Sequence, residues 1–267
     1  MRAAAAASRL AVACLVSLAA LAVHGQARAP ASDAFRLTTA MHLSTLAERI
    51  AKLHAQMGLG ILPERSRKAL HEAIRDFDGT LRIVSAHAST AESRENYALL
   101  ALQWQDYRDW ATRTPSRESA RKLRPRTEEV LWVAVKGARM LQADARTIAS
   151  PSAVRAEGAA TLAQRIAKLY LWSRWDIHDE ALDRELRESE DNLRRALDFL
   201  RTAPDNTPAI ADELQAADIQ LRFMEDAARA LKARDTTARH IEFIAKTGDH
   251  IEESMERVVS LYENAAR

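Results

Sequence analysis

The chain has little of what usually punctuates or staples a fold. Its 267 residues include seven glycines, seven prolines and a single cysteine, and aromatic residues make up 5%. One cysteine excludes an intramolecular disulfide and a cysteine-built zinc site. No stretch alternates apolar and polar residues with period two, so no sheet is expected. Charge of one sign is lacking too, with 39 Lys and Arg against 37 Asp and Glu. No basic tract carries interleaved aromatics, which argues against nucleic acid as a partner. The sequence has no P-loop, no Gly-x-Ser-x-Gly, no Gly-x-Gly-x-x-Gly and no cysteine nucleophile, so no enzyme is expected. It has no Glu-x-x-His for a di-iron bundle, and His42 and His54 are not one helical turn apart. No metal and no cofactor are expected.

What is abundant is Ala, Leu, Arg and Glu. These side chains lose little entropy in a helix, and the composition predicts an all-α protein.

The first 29 residues stand apart. Arg2 and Arg9 flank an Ala-rich start, "LAVACLVSLAALAV" supplies an apolar run, and "GQA" and "ARA" follow as small-residue cleavage sites ending at Ala27 or Ala29. The run is short for a spanning helix and fits a secretory signal peptide. Cys14 lies inside it, where "AVAC" loosely resembles a lipoprotein box, although the apolar stretch before it is brief. Cleavage after Ala29 removes Arg2, Arg9 and Arg28, leaving 36 basic against 37 acidic residues and no thiol. No later segment has ~18 uninterrupted apolar residues. The expectation is a periplasmic or secreted protein with no stable membrane span after cleavage.

A repeat organises the remainder. "TLAERIAKLH" at 45–54 returns as "TLAQRIAKLY" at 161–170, identical at eight of ten positions. At the same offset "LHEAIRDFDGTLRIV" (70–84) aligns on "LRESEDNLRRALDFL" (186–200), matching Leu70 with Leu186, Phe77 with Leu193, Leu81 with Leu197 and Val84 with Leu200. "ARMLQADAR" and "VVSLYENAAR" close the two halves. The chain reads as two tandem antiparallel four-helix bundles, 32–150 and 151–267, after the signal peptide. In the first copy Asp33 opens a helix to about Met57 and Pro63 opens the next. "STAE" at 89–92 is a capping box with Ser89 as cap, "TPSRESARKLRPR" is a Pro-bearing connection, and a fourth helix starts near Thr127. In the second, Ser150–Pro151 and Thr207–Pro208 are helix starts, and Gly248 is a weak point in the last helix. Leu43, Leu46, Ile50, Leu53 and Met57 fall at alternating three and four spacing, as do Ala159, Leu162, Ile166 and Leu169, which is a bundle seam.

The stretch "VRAEGAATLAQRIAKLY" (154–170) resembles the first helix of the N-terminal domain of type IV pilus methyl-accepting chemotaxis transducers, the PilJ type. That domain is related to the sensing domain of nitrate/nitrite sensor kinases of the NarX type. Leu162, Gln164, Arg165, Ile166, Ala167 and Lys168 match the family pattern, as do Leu46, Arg49, Ile50, Ala51 and Lys52 in the first copy. "MERVVSLYE" at 255–263 resembles the closing helix. The resemblance implies four-helix bundles that bind a small anion through an arginine from the first helix of each of two paired subunits. That arginine position is Ser44 in one copy and Ala160 in the other, so the family's anion site does not carry over.

Arg49, Lys52, Arg165 and Lys168 remain as candidate ligand-binding residues, since a guanidinium offers a donor fork to a planar oxyanion. The other reading of Arg49 and Arg165 is packing: on the flank of the seam, each covers the core with its methylenes and pairs with an acid. Docking of one repeated helix against the other, as an intramolecular version of the family's dimer, is a further expectation. "DHIEE" (249–253) and "DIHDE" (176–180) read as a helix start or a solvated face. Trp172 and Trp175 read as core, or as the lining of a pocket.

Two functions follow from this reading. One is a non-enzymatic periplasmic sensor-like module that binds a small ligand such as an anion, or reports to a membrane-bound signalling or pilus-related protein. The other is a periplasmic scaffold or adaptor that has lost ligand binding and acts through protein contacts. No kinase or methyl-accepting segment is apparent, so a sensor of this kind is expected to signal through another protein.

Overall fold

The computed structural model describes residues 33–144, 150–232 and 238–265. Residues 1–29, where a signal peptide is expected from the sequence, lie outside them. All regular structure among the described residues is α-helix, in the order α1 (Asp33–Gly58), α2 (Pro63–Ala86), α3 (Ala91–Ala111), α4 (Arg117–Asp144), α5 (Pro151–Arg174), α6 (Glu180–Arg201), α7 (Pro208–Lys232) and α8 (Ala238–Ala265). None of these helices is long and apolar enough to cross a membrane.

Caps explain most of the boundaries. Ser150 accepts the Ala153 N–H at 3.4 Å and Thr207 the Ile210 N–H at 3.3 Å, each just before a proline, which has no N–H and needs no acceptor. The capping box of α3 is one residue later than "STAE" suggests. Thr90 accepts from Ser93 N and Ser93 accepts from Thr90 N, both at 3.1 Å, so Thr90 rather than Ser89 is the cap. The supposed Pro-bearing connection is helical. Ser116 and Ser119 form a reciprocal box that starts α4 at Arg117, and Pro125 sits inside the helix. An internal proline weakens the turn before it. Here Arg126 and Thr127 donate to the carbonyls of Lys122 and Leu123, both at 2.9 Å, and Ala120 and Leu123 anchor that turn in the core.

The two halves follow one plan. In the first, α1 packs on α2 and α4, and α3 packs on α4. In the second, α5 packs on α6 and α8, and α7 packs on α8. The matched pairs Leu70 and Leu186, Phe77 and Leu193, Leu81 and Leu197, Val84 and Leu200 are all buried. The closing helices align at an offset of 121, which sets the buried Leu123, Val130, Ala134, Ala138 and Leu141 on Ile244, Ile251, Met255, Val259 and Tyr262.

The expected docking of the repeated helices occurs: α1 lies along α5, and residues 32–267 form one unit with a single hydrophobic core. Both helices are therefore enclosed on nearly every side, and α8 packs closely on α5. A Cβ on Gly248 would lie 2.9 Å from Ala167 Cβ and 3.3 Å from the Ala163 carbonyl oxygen. Gly248 is thus a point of close approach between helices, not the weak point its helix propensity suggests.

Candidate functional site

The seam between α1 and α5 holds the polar half of the repeated motif. Its position means that polar residues one turn apart on α1 and α5 cannot all reach water. Lys52, Lys168, Glu48 and Glu252 are fully buried. An unpaired ammonium or carboxylate in such a place costs several kcal/mol, about 3–5 when a partner is removed, so pairing is obligatory.

Each basic residue meets an acid from the opposite half. Arg49 Nη1 lies 3.0 Å from Glu252 Oε2, and Lys52 pairs with Asp249. Gln164 Nε2 donates to the same two acids, at 2.6 Å to Glu252 and 3.2 Å to Asp249. On the other side Arg165 reaches Glu48 at 3.2 Å, Glu128 at 2.9 Å and Glu185 at 2.6 Å. Lys168 Nζ lies 2.6 Å from Glu48 Oε2 and 3.6 Å from Glu128 Oε1, and 4.5 Å from the centre of the Trp172 ring. At the helical offsets of the two halves, Lys52 corresponds to Lys168 and Glu128 to Asp249. The pairs Lys52–Asp249 and Lys168–Glu128 are thus reciprocal, as the contacts across a two-fold axis are. Thr45 and Thr161, also equivalent, meet each other, with their Oγ1 atoms 2.8 Å apart.

The two clusters are not identical. Glu48 in the first half is Gln164 in the second. The Arg165 cluster therefore holds three carboxylates for two cations, the Arg49 cluster two for two. Burial pushes the Glu48 carboxyl above its usual range, although Lys168 and Arg165 pull it down. Burial also drives Glu252 up to about 7, against the pull of Arg49 and Lys52. For Glu128 and Asp249 burial acts upward as well, but the neighbouring cations outweigh it and both carboxyls are held low. "DHIEE" is accordingly no solvated face: Glu252 is enclosed and Asp249 points at Lys52.

Further along the seam, His42 Nδ1 lies 3.2 Å from Glu157 Oε1, which also accepts from Thr45 Oγ1 at 3.0 Å. Burial alone would lower the His42 imidazolium. The Glu157 hydrogen bond and the charges of Glu157, Glu256 and Glu252 prevail and raise it to about 9. His54 is the opposite case. It is enclosed between the Ala111 carbonyl (3.0 Å) and Ser119 Oγ (2.9 Å), and burial lowers its pKa. Trp172 is wholly enclosed and Trp175 nearly so, which places both in the core.

The family's anion-site positions, Ser44 and Ala160, are buried on the same two helices. Neither supplies charge. Of the four basic residues, Arg49 borders an open polar cleft of about 470 Å³ between α1, α2 and α8, lined by both basic residues (Arg65, Lys68, Lys246) and acids (Glu72, Asp249, Glu253). Among the described residues no group of three or more His, Cys, Asp or Glu is arranged to hold a metal ion. The sequence reading named the cations of the seam and missed its acids, Glu48, Glu128, Glu157, Glu185 and Glu252. The available signal was an acid on an apolar face, such as Glu252 beside Ile251 and Met255 in α8.

No family model, no curated protein and no solved structure matches this chain.

Proposed function

We propose that the chain is a non-enzymatic, extracytoplasmic sensor-like module, a single-chain relative of the paired PilJ- and NarX-type sensing domains. It takes up a small ligand and reports to a membrane-bound signalling or pilus-related partner. One observation carries the reading. The helix that resembles the family's ligand-binding first helix occurs twice and packs against its own copy, with equivalent residues Thr45 and Thr161 in contact. In the family that resemblance implies, ligand sits between two such helices. Arg49 is the ligand residue of choice. Its partner Glu252 is one carboxylate, and its cleft opens to solvent, with Arg65, Lys68 and Lys246 as well as Glu72, Asp249 and Glu253 in its lining.

The test is a thermal-shift panel on the purified chain with nitrate, nitrite, other small anions and amino acids at fixed ionic strength. A ligand that binds only the folded state, at about 100 times its dissociation constant, adds about 2.7 kcal/mol. The reading expects one anion to raise the transition and Arg49→Ala to abolish that rise. Arg165→Ala is expected to leave the shift in place.

A second reading, a scaffold or adaptor, is favoured by the same pairing. Arg49, Lys52, Arg165 and Lys168 all have carboxylate partners already, so none awaits an anion. Leu102 and Trp132 on the packed pair α3 and α4 are about two-thirds exposed. A panel in which no anion shifts the transition favours this reading.

A further inference from the structure

The two flanks of the α1–α5 seam differ in a way that the duplication makes legible. On the α8 side the space is filled. His42 reaches Glu157, Thr45 reaches Glu157, and Thr38 donates to Glu263. On the α4 side the equivalent positions carry apolar or absent side chains. Gly158 stands where the other flank has His42, Met41 where it has Glu157, Val154 where it has Thr38, and Val135 where it has Glu256. The result is a cavity of about 330 Å³ between α1, α4 and α5, walled by Leu37, Met41, Val135, Ala138, Val154 and Gly158. A Cβ built on Gly158 meets nothing within 4 Å, so the missing side chain is the reason for the space.

Four polar residues mark the cavity, Ser44, Thr161, Arg139 and Gln142, and the Thr161 hydroxyl already donates to the Glu157 carbonyl. Ser44 forms part of its wall, is buried, and has a hydroxyl without a hydrogen-bond partner. Arg139 and Gln142 border it from the exposed side of α4. Among the described residues Arg139 has no carboxylate partner, unlike the four basic residues of the seam. A half-open apolar pocket of this size with few polar groups, one of them an unpaired guanidinium at the rim, suits a ligand with an apolar body and an anionic head.

We infer that this cavity is a binding site for a small amphipathic carboxylate, its aliphatic body over Gly158 and its carboxylate on Arg139. This goes beyond the anion reading at Arg49, because the site, the flank of the seam and the ligand chemistry are all different.

The test is calorimetric titration of the purified chain with decanoate below its micellar concentration, with decanol and nitrate as comparators. Binding of decanoate is expected, with decanol weaker. Gly158→His restores the side chain of the filled flank and is expected to weaken decanoate at least tenfold. Gly79→His, at a helical glycine on α2 that also has open space, is expected to leave it unchanged. Arg139→Gln is expected to cost roughly tenfold in decanoate affinity and nothing in decanol affinity, as loss of one charge-assisted contact does. Because the Gly158→His protein can fail for other reasons, its cooperative helical melt is measured alongside, and Gly158→Leu serves as a second filler. No binding of decanoate, or binding that the Gly158 and Arg139 variants leave intact, overturns the inference. Nitrate binding without decanoate binding overturns it while leaving the sensor reading in place. Decanoate binding without any small-anion response supports the cavity and removes Arg49 from the site.

Discussion

Thr45 and Thr161 are the same residue of two copies, and their hydroxyl oxygens lie 2.8 Å apart across the α1–α5 seam. Thr45 Oγ1 also donates to Glu157 Oε1, a carboxylate that is almost wholly enclosed. Replacing Thr45 by Val keeps the shape and removes a donor from a buried acceptor. The expected loss is about 1–3 kcal/mol, read by urea unfolding. Thr161→Val is expected to cost less, because the Thr161 hydroxyl turns back to the Glu157 backbone carbonyl at 3.1 Å and not to the carboxylate.

The buried pair Lys168–Glu48 makes a sharper prediction. Both side chains are fully enclosed. Lys168→Met leaves Arg165, 3.2 Å from Glu48, as the one cation among three carboxylates, and is expected to cost up to about 3–5 kcal/mol. The double variant Lys168→Met with Glu48→Leu removes both charges. It is expected to be more stable than Lys168→Met alone, since Arg165 retains Glu128 and Glu185. Additive losses would show that the pair is not coupled.

Gly248 and Gly158 predict opposite responses to alanine. At Gly248 the new methyl meets Ala167 Cβ and the Ala163 carbonyl, neither of which can swing away, so α8 must move off α5. The overpacking loss, about 1–3 kcal/mol, exceeds a helix-propensity gain of about 1 kcal/mol. At Gly158 the methyl enters open space and only the gain remains. Thermal unfolding of the two variants is expected to shift down and up respectively.

Stability is expected to fall as pH rises through neutrality. Burial raises Glu252 from 4.5 to about 7, and the acids around His42 raise it from 6.5 to about 9 against its burial. Both groups hold their proton more tightly folded than unfolded. The stability each lends is complete below its unfolded pKa and is lost as pH rises through its folded one. Glu252 acts between 4.5 and about 7, and His42 between 6.5 and about 9. The drop is roughly 1–3 kcal/mol per group. Asp249 and Glu128, whose folded values are depressed, act in the opposite sense and only in acid, below their unfolded values of 3.8 and 4.5. His42→Gln is expected to flatten the alkaline part of the profile. A stability that rises between pH 6.5 and about 9 contradicts the assignment.

Much of this architecture could be read from residue pattern. The all-α class, the helix starts at Pro63, Pro151 and Pro208, and the matched cores of the two halves follow from composition, caps and spacing, all local properties. The sequence places Arg49 and Arg165 on the flank of a seam, because their neighbours Ile50 and Ile166 carry the apolar period, and it offers Lys52 as a ligand residue. Lys52 is nevertheless fully buried, since α1 has α5 on the face that a free bundle would leave to water. That enclosure is a tertiary fact, and it is also why the acids of the seam went unnoticed: Glu48 and Glu252 look like ordinary solvated residues until a second helix covers them. Pro125 misled for a related reason. Proline argues against a helix interior, but two side-chain donors and a buried turn override it. The cavity over Gly158 was beyond reach, because it is visible only as a difference between two flanks whose helices are not adjacent in sequence.

The central claim is that α1 and α5 pack in register within one chain. The most direct measurement is oxidative cross-linking of the Thr45→Cys, Thr161→Cys double variant. The only native cysteine, Cys14, is replaced by Ser in that protein. With oxygens at these positions 2.8 Å apart, the two sulfurs come within bonding reach. The account predicts rapid, quantitative formation of an intramolecular disulfide in the folded protein, and none for the pair Thr45→Cys, Ala163→Cys, whose second site lies two residues further along α5. Absence of the first cross-link, or its appearance only between chains, would contradict it.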